Sequence, residues 1–279
     1  MRNADELRQT IEKIAARAQT IAVGVALRDY ETGFEFELNA NRQFHAASTI
    51  KVAVLLAVFR AIDEGRLQVD DPLHVRNRFR SAVDGAPFRL DCDSDGYPQL
   101  YKIIGRTAKI SDLADVMITS SSNLATNLLL DFLSVDYATE VLSQAGVSGV
   151  ELKRGVDDEK AFDADQNNET NAQGLVDLFG VLRGEFLSKA SRDAAIAILL
   201  RQRFDSMIPA RLPPHVTAAH KTGEISTACH DAGIVYVPER QPYVIAILTQ
   251  VNSDTNERRD TVAKISKAIF DFVVDQPAA

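Results

Sequence analysis

The chain has little cysteine: Cys92 and Cys229 are its only two in 279 residues. Two thiols so far apart do not make the disulfide framework of a small secreted domain, and both are read as free. It also has no Cys-x-x-Cys and no His-Glu-x-x-His, and its five histidines show no ligand spacing. Those absences argue against zinc, and no metal or other cofactor is expected. The formal net charge is −8 and there is no long basic stretch, which argues against nucleic acid as a partner. No apolar run is long enough to span a bilayer. Met1 to Glu6 lacks the apolar core of a signal peptide, so the expected location is cytoplasmic, or periplasmic or secreted if a signal was removed. Gly146-Val-Ser148-Gly149 is not a Gly-x-Ser-x-Gly, which leaves an α/β-hydrolase elbow without support. No repeat or low-complexity segment is present. What remains is a globular chain, 46% hydrophobic and 25% charged, long enough for one large domain or two lobes. A monomer acting on a small-molecule substrate is expected.

Apolar periodicity places an amphipathic helix at the start, through Leu7, Ile11 and Ile14. Ile21 to Leu27 reads as a strand. After a turn at Thr32-Gly33, Phe34, Phe36 and Leu38 alternate with Glu35 and Glu37, a second strand with one solvated face. A helix apolar nearly all round opens at Ser48 and ends near Glu64-Gly65, so it should be central. From Arg66 to about Ser206 the pattern is helical: a helix capped by Ser111 through Met117, then Leu124–Phe132, Ala172–Leu182 and Ser191–Leu200. Arg154 to Glu169 has no clean period and reads as a long loop, a feature that is usually functional in a compact domain. Strand character returns at Val216–Lys221, Gly233–Val237 and Tyr243–Val251, and Val262, Ile265, Ile269 and Phe272 mark a last helix. The two termini therefore build one α+β domain, with a sheet of about five strands, over residues 1–65 and 207–279. Residues 66–206 form an all-helical lobe inserted into it.

Three short motifs occur in order. Ser48-Thr-Ile-Lys51 is the chain's one Ser-x-x-Lys. Positions i and i+3 share a helix face, so the Ser48 hydroxyl and the Lys51 amine can meet. Burial among apolar neighbours favours a neutral lysine, and a neutral amine beside a hydroxyl is an activated nucleophile pair. A buried helix whose lysine reaches solvent along its stem fits these residues equally well. Ser121-Ser122-Asn123 offers a hydroxyl to relay a proton and an amide to bind a carbonyl and fix Lys51, or simply a helix cap. Lys221-Thr222-Gly223 offers positive charge, a hydroxyl and a close backbone approach, or simply a strand end and turn.

Together the motifs match Ser-x-x-Lys, Ser-Asp-Asn and Lys-Thr-Gly in order, spacing and element type. The chain resembles the serine acyltransferases that include penicillin-binding proteins, and most closely the class A β-lactamases, over nearly its whole length. Asn123-Leu-Ala-Thr-Asn127-Leu-Leu-Leu130 resembles the family's helix after the second motif. The resemblance implies a β-lactamase/transpeptidase-like α/β sandwich with an antiparallel sheet and an active site where the two domains meet. It implies Ser48 as nucleophile, Lys51 as base or proton relay, and Ser121 as the donor to the leaving nitrogen. Lys221 and Thr222 would receive the substrate carboxylate, with Asn123 and Gly223 lining the substrate. The backbone N–H groups of Ser48 and Glu224 would form the oxyanion hole, since a helix N-terminus favours anions.

The chain departs from the family in three places. The middle residue of the second motif is Ser122 rather than Asp. In the loop, Arg154 matches a family Arg, but the position of the deacylating Glu holds Val156 and that of an Asn holds Lys160. Glu169 stands where an acid would pair with Arg154 and close the loop. Asp157 and Glu159 could replace the lost base if the loop is re-registered; the plainer reading has both facing solvent. Third, spacing puts His230 where an Arg often helps bind the carboxylate. Beside Asp231 it is either a pH-dependent carboxylate binder or half of a buried structural pair. Asp91-Cys-Asp93-Ser-Asp95-Gly96 imitates half of a calcium loop, but Lys102 holds the place of the closing Glu and Pro98 interrupts it. Phe88 and Tyr101 either border the site or pack locally.

The resulting expectation is a class A-like serine hydrolase that opens β-lactams through a Ser48 acyl-enzyme with slow or atypical deacylation. The alternatives are a D-Ala-D-Ala peptidase or esterase, and a penicillin-binding sensor that stays acylated. Retention of Ser48, Lys51, Ser121, Asn123 and Lys221 argues against a pseudoenzyme.

Overall fold

The computed structural model describes residues 3–252 and 257–276. The chain divides into two compact units.

The first unit comprises Met1–Thr49, Thr170–Gly180 and Phe204–Ala279. Its strands are β1 (Ala22–Asp29), β2 (Glu35–Leu38), β3 (Thr217–Ile225), β4 (Ala228–Tyr236) and β5 (Tyr243–Gln250). They form one five-stranded sheet in the order β3-β4-β5-β1-β2, antiparallel throughout. Helix α1 (Ala4–Arg17) begins where Asn3 accepts a hydrogen bond from the Asp5 N–H and Glu6 reaches back, a reciprocal cap. Leu7, Ile11 and Ala15 of α1 join Val262, Ile265, Ile269 and Phe272 of α9 (Arg258–Val274) in one core. Alternate residues Val23, Val25 and Leu27 of β1, with Ile245 and Ile247 of β5, supply the sheet's side of it. Each aliphatic side chain buried this way contributes about 1.5–3 kcal/mol. Strand β3, which carries Lys221-Thr222-Gly223, is an edge of the sheet, so half of its backbone groups lack a strand partner.

The second unit comprises Ile50–Glu169 and Val181–Arg203. Its centre is α2 (Lys51–Asp63), which packs on α3 (Ile110–Thr119), α4 (Asn123–Leu133), α5 (Val135–Gln144) and α8 (Lys189–Leu200). Every α2 residue from Lys51 to Phe59 is buried, because each of its faces meets another helix. This is why α2 groups with the helices, and why the division falls after Thr49 rather than after residue 65. The long loop holds one short helix, α6 (Glu159–Asp163); α7 (Ala172–Arg183) follows it, with its residues up to Gly180 in the first unit.

Several local expectations change. Ser48 lies in a 3₁₀ turn, Ala47–Ile50, that runs directly into α2. Helix α3 starts at Ile110 after Lys109, so Ser111 sits inside it rather than capping it. Helix α5 is an addition to the expected helices, with Tyr137, Ala138, Val141 and Leu142 buried at helical spacing. Strand β4 starts five residues before the expected Gly233 and takes in Cys229, His230 and Asp231, all fully buried. Both cysteines are free thiols. Among the described residues no helix is long and apolar enough to cross a membrane.

Candidate active site

In the helical unit Lys51 is fully buried at the first position of α2. Its Nζ donates to the Ser121 carbonyl at 2.7 Å, to Asn123 Oδ1 at 2.6 Å and to Ser121 Oγ at 3.2 Å. Three donors meet three acceptors, which suits an ammonium. Burial nevertheless pushes its pKa down to about 8, with Asp157 and then Asp95 pulling it back up. When the amine loses its proton, its lone pair needs a donor. Of these three contacts only the Ser121 hydroxyl can donate, so a proton can pass between Lys51 and Ser121.

The Asn123 amide spans two charges. Its Oδ1 accepts from Lys51 while its Nδ2 donates to Asp157 Oδ2 at 2.6 Å. Lys51, Ser121, Asn123 and Asp157 are thus brought together. Glu159 is exposed at the first position of α6, outside this network. The acid between them, Asp158, is buried; it caps α6 and accepts from Ser81 Oγ and the Ala82 N–H. Asp157 has φ 54° and Ser121 φ 56°, a left-handed backbone uncommon outside glycine, which tends to persist where surrounding contacts hold it at functional sites.

The loop closes differently from expectation. Arg154 does not pair with Glu169. Its guanidinium donates to the Gln166 carbonyl, the Gly155 carbonyl and Asn167 Oδ1. Glu169 pairs instead with Lys153 at 2.6 Å, and Asn168 bridges the Lys153 and Arg154 backbones. Two carbonyls and one side-chain amide close this loop; burial lowers the Arg154 pKa, and the Asp158 and Asp157 charges oppose that shift. Val156, at the position expected for a Glu, is fixed through its backbone by Asn127, whose side chain accepts from the Val156 N–H and donates to the Val156 carbonyl.

In the sheet unit Ser48 is half-buried and follows Ala47, which has φ 47°. The turn is held locally by Thr49, whose Oγ1 donates to the Ala46 carbonyl at 2.6 Å, and by the Ala47 N–H donating to His45 Nδ1 at 3.0 Å. Gly223 faces this turn closely. A Cβ there would lie 3.1 Å from Ser48 N, 3.0 Å from Thr49 N and 2.9 Å from Thr49 Cγ2. Only glycine lets β3 come so near the Ser48 amide. The Glu224 side chain turns away to Arg258 and Arg259, leaving its backbone as the group of interest. Lys221 is fully buried with Nζ donating to the Thr222 carbonyl at 2.7 Å, and Thr222 is buried beside it.

His230 is not placed to bind a substrate carboxylate. It is fully buried, its Nε2 donating to the His45 carbonyl at 3.0 Å and its Nδ1 accepting from the Thr249 N–H at 3.1 Å. Both ring nitrogens are used by the backbone of the neutral tautomer. Nor is Asp231 its partner: successive strand residues point to opposite faces, and Asp231 pairs with His220 and accepts from the Ile208 N–H. Burial pushes His230 down to about 4, below its ordinary value near 6.5. The unfolded chain therefore takes up this proton first. The stabilisation is complete above about pH 6.5 and is lost as pH falls toward 4, by on the order of 3 kcal/mol. Urea unfolding should show this loss in the native protein and a smaller one in His230→Gln. Parallel losses in the two would remove His230 as the source.

Sequence reasoning missed Asp95, Asn127, Asp158 and His45. Asp95-Gly96 reads as a failed calcium loop, Asn127 stands in the helix segment that resembles the family's but with no role read for it, and Asp158 and His45 carry no motif.

The beta-lactamase enzyme family matches residues 6–273 of this chain. Curated relatives include beta-lactamase VEB-1 of Pseudomonas aeruginosa, 21% identical over 98% of this chain and 92% of its own length. Beta-lactamase ROB-1 of Haemophilus influenzae is 25% identical over 94% of this chain and 83% of its own length. Among solved structures PBP-A superposes with a TM-score of 0.82 at 27% identity, covering 97% of this chain and 96% of that one. The TLA-1 extended-spectrum beta-lactamase superposes with a TM-score of 0.86 at 23% identity, covering 98% and 100%. With its sheet order, its three motifs and this match along nearly its whole length, the chain belongs to the beta-lactamase enzyme family, among the class A and penicillin-binding-protein-like members.

Proposed function

We propose that the protein is an active-site serine hydrolase that opens β-lactam amides through an acyl-enzyme on Ser48 and deacylates slowly. The observation that carries this reading is the buried Lys51 amine, its pKa lowered to about 8 and its donors taken up by Ser121 and Asn123. Ser48 lies three residues before it in continuous helical backbone. In the proposed acylation, neutral Lys51 takes the Ser48 proton as Oγ attacks the lactam carbonyl. The Ser48 and Glu224 N–H groups stabilise the oxyanion. The proton then passes through Ser121 to the departing nitrogen, and the C–N bond breaks. Lys221 and Thr222 receive the substrate carboxylate.

Slow turnover is supported by Val156, pinned through its backbone by Asn127, where a carboxylate would activate water. A PBP-A mutant has been captured as an acyl-enzyme complex with penicillin G, which makes a penicillin the first substrate to try. The same valine favours a second reading, a peptidase or esterase whose natural acyl group leaves by another route.

Intact-protein mass after mixing with a penicillin tests the proposal. A persistent adduct, absent in Ser48→Ala, is expected. Consumption without an adduct would show that deacylation is efficient, and neither adduct nor consumption would overturn the β-lactam reading.

A further inference from the structure

We propose that Asp95 is a positioning residue for Ser121 and Asn123, supplying from a distant loop the carboxylate that the Ser121-Ser122-Asn123 motif lacks. The motif's middle residue is a serine, yet a carboxylate stands at its side chain. Asp95 is buried, and its Oδ2 accepts from Ser122 Oγ at 3.3 Å, from the Leu124 N–H at 2.8 Å and from Tyr101 Oη at 3.3 Å. Its Oδ1 accepts from the Tyr97 N–H at 2.7 Å, which ties the carboxylate to its own loop.

The hydrogen bonds define a direction. Ser122 has one hydroxyl proton, and Asp95 takes it. The Ser122 lone pairs then face the Ala125 N–H, which donates to Oγ at 3.2 Å. Asp95 and Ser122 together satisfy the first two free N–H groups of α4 whose partners are side chains, at the end where the helix dipole favours negative charge. Asn123 is the first residue of α4 and Ser121 immediately precedes the cap, so fixing the cap fixes both. The contact is close. A Cβ on Gly96 would lie 1.8 Å from the Ser120 carbonyl oxygen, so only glycine lets the Asp95 loop seat against the strained Ser121 turn. Of the two readings of Tyr101, local packing holds: its hydroxyl belongs to this seat. The fit explains why Ser122 is tolerated: an aspartate there would put a second carboxylate against Asp95.

That conflict provides the test, which rests on the proposed roles of Ser121 and Asn123. Asp95→Asn is expected to slow Ser48 acylation by a penicillin about 10- to 100-fold through misplacement of both groups. Ser122→Asp alone should slow it comparably, because like charges meet. The double variant, Asp95→Asn with Ser122→Asp, restores one carboxylate and should return to within about threefold of the native rate. A role limited to general stability would make the double variant worse than either single one. The pH midpoint of acylation gives a second reading. The charges acting on Lys51 are Asp157 and Asp95, so Asp95→Asn should move the midpoint down and the double variant should move it back. Acylation within twofold of native in Asp95→Asn, or a double variant no better than the worse single one, overturns the proposal. If a single variant does not fold, recovery of folding in the double variant supports it and failure to recover overturns it. Neither adduct nor consumption of penicillin by the native protein would sink the β-lactam reading alone. Titration of the Lys51 amine in the same four proteins, lowered in Asp95→Asn and restored in the double variant, would still decide for or against Asp95.

Discussion

Replacing Lys51 with alanine is expected to slow acylation of Ser48 by about 10²- to 10⁴-fold, the usual contribution of a positioned general base. Arginine at this position should be as poor as alanine. It keeps the positive charge but holds its proton at any working pH, so equal losses separate a base from an electrostatic anchor. The pH dependence follows from the same geometry. Burial has brought Lys51 down to about 8, and the form that can accept the Ser48 proton is the neutral one. Below that value the neutral fraction falls about tenfold per pH unit, leaving about a tenth of the molecules competent at pH 7. Single-turnover acylation of the native protein should therefore climb through pH 8 and level off above it. A rate flat between pH 6 and 9, or a Lys51→Arg variant that acylates at the native rate, would take the base role away from Lys51.

What the sequence made legible is what lies close along the chain. Ser48 and Lys51 sit one helical turn apart, and Lys221 to Gly223 run along a single strand, so short spacings carried both motifs. Phe34 to Leu38 announced a strand because one face is solvated. Groups satisfied from far away were not legible. His230 and Asp231 break the apolar pattern of a fully buried strand, so the pattern places the start of β4 too late. The His45 carbonyl and the Thr249 amide that accommodate the His230 ring are invisible in its neighbourhood. The Arg154–Glu169 pairing failed for a related reason. The family resemblance implies an ion pair there, but carbonyls and an amide nearer in the fold satisfy the guanidinium. Asp95 shows the limit most clearly: its carboxylate serves a helix whose first residue is 28 positions later.

Asp157→Asn is expected to split the two half-reactions in opposite directions. Of the three consecutive acids in the loop, Asp158 is buried in a cap and Glu159 faces outward on α6. Asp157 alone reaches the Asn123 amide that holds Lys51, and it is half free: an exposed carboxylate with one oxygen engaged can take a proton from water. If it is the base that releases the acyl group, its amide replacement should lengthen the life of the penicillin adduct about 10²- to 10⁴-fold. Acylation should behave otherwise. The Asp157 charge is the larger of the two that raise the Lys51 pKa, so its removal leaves more neutral lysine at pH 7. The acylation midpoint should move below 8 and the rate at pH 7 should hold or rise. Asparagine is the apt replacement because it tolerates the left-handed backbone at φ 54°, so a change in loop shape does not confound the result. A merely structural role would slow both steps together. An adduct lifetime equal to that of the native protein, with the midpoint still shifted, would leave Asp157 as the group that tunes Lys51 and place deacylation on a water that no loop carboxylate activates.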